Sequence, residues 1–186
     1  MGSSWQGERV RLRGVEPPES QLLMEFNDET SVLRNNDRLH PPRSKAGYLK
    51  LAETSSATPD DDEFGLGIEA LDQGRLVGGL GTHGVDKTAG VFSYGIAIGA
   101  PFQRRGYATD AITVLLRYMF GERRFQKCNI HIYAFNTASL DLHRQYGFVD
   151  EGLRRRSQFF AGTYHDVVLL GLTVEEYAAT HSLGSI

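Results

Sequence analysis

At 186 residues, 40% of them hydrophobic and with a formal charge of −3, the chain has the size and balance of one globular domain able to bury a real core. A single cysteine, Cys128, excludes an internal disulfide framework and a cysteine-built zinc centre, and the six histidines fall in no HExxH pattern, so no metal site is expected. No run approaches about 18 apolar residues, no hydrophobic signal region opens the chain, and Lys and Arg form no long stripe; the expectation is a cytoplasmic protein with neither membrane nor nucleic acid among its partners.

Residues 8–15 alternate Val10 and Leu12 against Arg9, Arg11 and Arg13, a strand with one wet face suited to a sheet edge. Pro17 and Pro18 stop it. Glu19 to Asn27 reads as a short helix with Leu22, Leu23 and Phe26 inward, and Thr30 or Ser31 is a candidate cap for a second piece through Val32 and Leu33. Residues 34–63 are the least regular part, with a helix candidate from Ser44 to Glu53 and a polar, acidic loop from Ser55 to Glu63. The run Asp60-Asp61-Asp62 lacks the spaced ligands and turn glycine of a calcium loop and reads as solvated.

From Phe64 the pattern becomes sheet. Residues 64–71 and 75–84 flank the tight-turn candidate Asp72-Gln73-Gly74 and form a predicted hairpin. A third strand, Ala89 to Ile98, ends before Ala100-Pro101. The turn Gln103-Arg104-Arg105-Gly106-Tyr107-Ala108 follows, and a helix begins near Tyr107 with Ile112, Leu115, Leu116 and Met119 as its core stripe. Strand, turn and helix in this order leave the N–H groups of residues 104 to 108 unsatisfied at the positive end of a helix, a natural seat for phosphate. Neither GxxxxGK[ST] nor GxGxxG is present, so the turn is not that of a nucleoside triphosphate or a dinucleotide site. Lys127 to Phe135 is the next strand, with Cys128, Ile130, Ile132 and Ala134 on one face, and the helical crossover makes it parallel to its predecessor. Asn136-Thr137-Ala138-Ser139 opens a second helix that Gly147 terminates. Phe148 to Phe160 and Gly162 to Leu172 form a last pair of strands, and Glu175 to Ala179 is a brief helix before a tail, residues 180–186, expected to fray.

The turn at 103–108 resembles the Q/R-x-x-G-x-G/A pyrophosphate loop of the GNAT family, the acetyl-CoA-dependent N-acetyltransferases. Asn136-x-x-Ser139 followed by Gly147-Phe148 resembles that family's N-x-x-S/A…G-F segment. With the first strand, Gly106-Tyr107-Ala108-Thr109-Asp110-Ala111 and Gly147-Phe148-Val149-Asp150-Glu151-Gly152 are similar to the subgroup that includes ribosomal-protein N-terminal acetyltransferases. The resemblance implies an α/β (α+β mixed) fold: one domain over residues 1–186, with a central mixed, mostly antiparallel sheet of roughly seven strands and helices on both faces. It also sets residues 34–63 and Phe26 on the acceptor side. Acetyl-CoA is the implied cosubstrate. Its pyrophosphate would meet Gln103, Arg104, Arg105, Gly106, Tyr107 and Ala108, and its pantetheine arm would meet Ile96, Ala97, Ile98 and Asn136, with Ser139 near the sulfur.

Acyl transfer of this kind needs a neutral amine to attack the thioester and a proton for the departing thiolate. It needs no covalent enzyme intermediate, which agrees with the absence of a Ser-His-Asp or Cys-His set in the sequence. Cys128, in an apolar alternation, reads as structural. The resemblance makes Ser139 the first candidate for the proton donor. His143, where many members carry Tyr, is the second, while Tyr146 is out of register and reads as core. Family members often carry a Glu in an E-x-G-Y pattern before the loop, but Val91-Phe92-Ser93-Tyr94-Gly95 contains no acid. Glu69 on the hairpin is the nearest alternative base, ahead of His83 and His165, and a base can act through one water. The acceptor is open between a peptide or protein N-terminus, which the subgroup favours, and a small amine such as an antibiotic or polyamine. A non-catalytic acyl-CoA-binding protein is the competing class, and a homodimer using the last strand pair is an open assembly.

Overall fold

The computed structural model of the chain describes residues 3–28, 41–56 and 61–183. Its seven strands are β1 (Val10–Arg13), β2 (Gly65–Ala70), β3 (Arg75–Asp86), β4 (Val91–Ile98), β5 (Lys127–Tyr133), β6 (Val149–Phe160) and β7 (Thr163–Thr173). They form a mixed, mostly antiparallel sheet in the order β1-β2-β3-β4-β5-β7-β6. Among the described residues the helices are α1 (Ser20–Asp28), α2 (Lys45–Ser56), α3 (Tyr107–Gly121), α4 (Thr137–Tyr146) and α5 (Val174–Thr180). The expected cap at Thr30 or Ser31, the piece through Val32 and Leu33, and Asp60 lie outside the described residues. The chain divides into two compact units, Met1–His83 with Gly95–Leu115, and Gly84–Tyr94 with Leu116–Ile186.

In the first unit, β1 is the outer strand that its alternation predicts: Val10 and Leu12 are buried, and Arg11 stands opposite Glu69 of β2. The Pro17–Glu19 turn is a short 3-10 segment leading into α1, with the Glu19 carboxylate accepting the Glu16 N–H. Ser44 starts α2 by accepting the Gly47 N–H on its hydroxyl. The β2–β3 hairpin closes as predicted: the Gly74 N–H donates to the Ala70 carbonyl at 2.8 Å, and Gly74 has φ +62°, a conformation glycine adopts without strain. Val10, Ile68, Leu76, Val77, Ile112 and Leu115 are among the largest fully buried side chains of this unit. The acidic stretch is less solvated than expected, because Asp62 is buried and its carbonyl accepts the Thr82 hydroxyl at 2.6 Å.

In the second unit, β5 runs parallel to β4 through Val91↔Lys127 and Phe92↔Cys128, and antiparallel to β7 along its whole length. The Phe92 ring packs edge-on to Phe120 and Phe125 at centroid distances of 5.9 and 5.3 Å, and Phe120 meets Tyr177 of α5 at 5.3 Å. Leu116 and Met119 complete the α3 stripe, fully buried like Ile112 and Leu115. The tail expected to fray is held at its first part, where His181 stacks on Tyr146 and Tyr177 at 4.6 and 4.8 Å.

Candidate active site

In the first unit, β4 ends at Ile98 and a 3-10 turn, Ala100–Phe102, carries the chain into the predicted loop. Two of its side chains fold back on it. The Gln103 amide donates to the Ile98 carbonyl at 3.0 Å, and the Arg105 guanidinium donates to the Pro101 carbonyl at 3.1 Å. Arg104 and Gly106, on either side of Arg105, both have positive φ, 64° and 81°. The first turn of α3 adds unsatisfied N–H donors at the positive helix end. Residues 103–106 are exposed. The Tyr107 side chain is buried, donating to Asp72 at 2.8 Å and accepting from the Gln73 amide at 3.0 Å. Only its backbone N–H is left for an anion.

Arg9 belongs beside this loop, although nothing in the sequence singles it out. Its side chain crosses Gly106 so closely that a β-carbon on Gly106 would stand 3.3 Å from Arg9 Cδ and Nε. The Asp110 carboxylate, in the first turn of α3, fixes Arg9 there by accepting the N–H groups of Glu8, Arg9 and Val10 at 3.1, 2.8 and 2.8 Å. Ile96, Ala97 and Ile98 are half-buried along β4.

In the second unit, Asn136 is the N-cap of α4, and its side-chain oxygen accepts the Ser139 N–H at 3.2 Å. That oxygen serves the helix, which narrows what Asn136 can offer a ligand. Ser139 is half-buried one turn before His143, whose side chain is 3% exposed. His143 Nδ1 lies 2.7 Å from the Ser139 carbonyl oxygen and 3.3 Å from Ser139 Oγ, while Nε2 lies 2.9 Å from Tyr94 Oη. Gly147, with φ +118°, ends α4, and Phe148 turns its ring edge-on to His143 at 5.3 Å. Burial lowers the His143 pKa, opposed in part by the bond to the Ser139 carbonyl, so the ring is neutral at physiological pH. Burial raises the Tyr94 hydroxyl well above its ordinary value, with Cys128 and Tyr146 adding to the effect. Sequence reasoning read position 94 only as the neighbour of a missing carboxylate. The signal available was that Phe92 and Tyr94 share the inward face of β4.

Glu69 is brought to neither group by a described contact. It is buried on β2 and takes up both carboxylate oxygens in ion pairs, one with Arg11 at 2.7 Å and one with Arg13. Desolvation works to raise its pKa, but the hydrogen bond from Arg13 and the charges of Arg13 and Arg11 prevail and hold it below the ordinary carboxylate value. A carboxylate so engaged is a poor proton acceptor. His165 stacks on Phe160 at 4.1 Å and meets Phe135 edge-on at 5.1 Å.

Comparison with known proteins gives the class. Residues 9–149 match the family described as the Acetyltransferase (GNAT) domain. The chain belongs to the GNAT family and is an N-acetyltransferase. The SPbeta prophage-derived uncharacterized N-acetyltransferase YokL of Bacillus subtilis is 34% identical over 95% of this chain and 97% of that protein. The putative ribosomal N-acetyltransferase YdaF of the same organism is 27% identical over 91% of this chain and 94% of its own length. Among solved structures, a GNAT-family acetyltransferase from Bacillus anthracis superposes with a TM-score of 0.79 at 16% identity, covering 91% of this chain and 98% of the other. Spermidine N-acetyltransferase from Vibrio cholerae, in complex with CoA and spermine, gives 0.77 at 22% identity, covering 91% and 98%.

Proposed function

We propose that the protein transfers the acetyl group of acetyl-CoA to a primary amine by direct attack on the thioester, with a peptide or protein N-terminus as the acceptor. The loop at 103–108 carries this reading. Its exposed donors, its two positive-φ residues and the guanidinium groups of Arg104 and Arg9 suit the two negative charges of a pyrophosphate. Gln103 and Arg105 shape the loop, while Gly106, Tyr107 and Ala108 contribute backbone N–H groups. The Ile96–Ile98 backbone and Asn136 serve the pantetheine arm. The peptide acceptor is favoured by the likeness to the putative ribosomal N-acetyltransferase, and the cytoplasm is the compartment that agrees with a single, reduced cysteine.

In the reaction the amine nitrogen bonds to the thioester carbon, the C–S bond breaks, and the nitrogen loses one proton while the sulfur gains one. Ser139 donates its hydroxyl hydrogen bond to the leaving sulfur, where negative charge develops. With Glu69 committed to two arginines, the proton lost by nitrogen passes to water, and the sulfur takes its proton from the Ser139 hydroxyl, which recovers one from solvent. The test is release of free CoA thiol from acetyl-CoA across a panel of N-terminal peptides, polyamines and aminoglycosides. Peptides are expected to turn over fastest, and Ser139→Ala is expected to lower kcat by about 10²-fold, the scale of one lost donor to a developing anion. Turnover confined to polyamines would reassign the acceptor, and no thiol release with any amine, despite acetyl-CoA binding, would leave a binding protein.

A further inference from the structure

His143 is buried, neutral and bonded at both ring nitrogens, and those bonds determine where its single proton sits. A carbonyl oxygen only accepts, so the 2.7 Å contact with the Ser139 carbonyl requires the hydrogen on Nδ1. Nε2 then carries the lone pair, and the Tyr94 hydroxyl at 2.9 Å must be its donor. The direction of the chain is therefore Tyr94 O–H to His143 Nε2, and His143 Nδ1–H to Ser139. Ser139 Oγ, 3.3 Å from the same Nδ1, meets an N–H and can only accept from that side. Its own proton is left to point away from the ring.

We propose that Tyr94 is a positioning residue for acetyl transfer: its hydroxyl fixes His143 as the Nδ1–H tautomer, and the fixed ring turns the Ser139 hydroxyl proton outward for donation. This rests on the reading of Ser139 as the donor to the leaving sulfur. With the opposite tautomer the lone pair of Nδ1 would face the Ser139 carbonyl, and the Ser139 proton would be drawn inward to the ring. His143 itself gives up no proton during transfer, because its one hydrogen already bonds a carbonyl and its other nitrogen is an acceptor. The ring is held in place by Phe148 edge-on and by Tyr94 at a centroid distance of 5.9 Å. The titratable groups packed around the pair are Cys128 of β5 and Tyr146 at the end of α4, besides Tyr94 of β4. Burial holds Cys128 and Tyr94 protonated, so neither gains charge near neutral pH.

The experiment is a two-bond 15N–1H correlation spectrum of the full chain labelled at histidine, with His143 assigned by its loss in His143→Asn, alongside steady-state kinetics. The expected spectrum shows His143 with its proton on Nδ1 and a lone pair on Nε2 across about pH 6 to 8, the range in which an unperturbed histidine titrates. Tyr94→Phe keeps the ring packing and removes only the donor. It is expected to mix the tautomer signals and to lower kcat about tenfold, the effect of one lost buried hydrogen bond, with KM for acetyl-CoA little changed. His143→Asn is expected to lower kcat while leaving the shape of the pH–kcat profile as in the wild type. A wild-type proton on Nε2, or a Tyr94→Phe enzyme with unchanged kcat and spectrum, overturns the proposal. So does a pH limb lost in His143→Asn, which would make the ring the proton donor. Wild-type turnover by Ser139→Ala with the expected His143 spectrum would sink the Ser139 reading alone, and with it the catalytic meaning of the tautomer.

Discussion

Glu69 shows how a side chain's neighbours decide its chemistry. Its carboxylate is buried between Arg11, half exposed, and Arg13, which also reaches Glu19. Its pKa in the folded protein is held below the unfolded value. The stability it contributes is therefore fully present above the unfolded carboxylate pKa and lost as pH falls through the lower, folded one. Replacing Glu69 by Gln leaves Arg13 partly buried without that charge. It is expected to cost about 1–3 kcal/mol at pH 7, less than for a fully buried pair because Arg11 reaches water. The deficit should shrink below about pH 4, as the wild-type carboxyl itself takes up a proton. Urea denaturation at the two pH values measures it, and an equal deficit at both would refute the charge account. The pairing was not legible in the sequence, because it depends on a β1–β2 register that brings residues 11 and 69 face to face. Alternation gave the wet face of β1 but not its partner. Ser139 and His143 could be found by motif, whereas Tyr94 required the two packed against each other.

At the scale of elements, α3 was the most legible part of the chain. Four apolar residues at helical spacing defined its inner face, and all four are fully buried. The opposite question, what its outward first turn does, had no answer in periodicity. Asp110 there accepts three consecutive backbone N–H groups from the residues that lead into β1, a contact about a hundred residues distant in sequence. It joins the positive end of the helix to donors that would otherwise need water. Asp110→Ala is expected to destabilise the protein by about 2–3 kcal/mol, the range for lost hydrogen bonds to a charged acceptor that are partly exposed. Asp110→Asn, which keeps one carbonyl oxygen, should lose less. Chemical denaturation of both variants checks this, and equal losses would show that charge rather than acceptor geometry dominates. An accompanying rise in KM for acetyl-CoA is expected in Asp110→Ala, since the same contact fixes Arg9 against Gly106.

For the whole molecule, the order of strands and the parallel β4–β5 junction follow from rules of connection that a helical crossover makes readable. The path of residues 181–183 did not, because a tail is anchored only by what it happens to meet, here two tyrosine rings. The single thiol offers a global measurement. Cys128 is fully buried, and burial pushes its pKa well above the ordinary value. An aromatic disulfide reagent should leave the native protein unmodified and react with one thiol per chain only once denaturant has unfolded it. Rapid reaction under native conditions would mean that the sheet around β5 opens locally. Arg104 has a different consequence. Its φ of +64° places a side chain in a conformation that costs roughly 1–2 kcal/mol for any residue with a β-carbon and almost nothing for glycine. Glycine at this position would tighten the fold while taking a guanidinium from the proposed anion seat, so two chains differing there alone are expected to be ranked one way by heat and the other way by scarcity of acetyl-CoA.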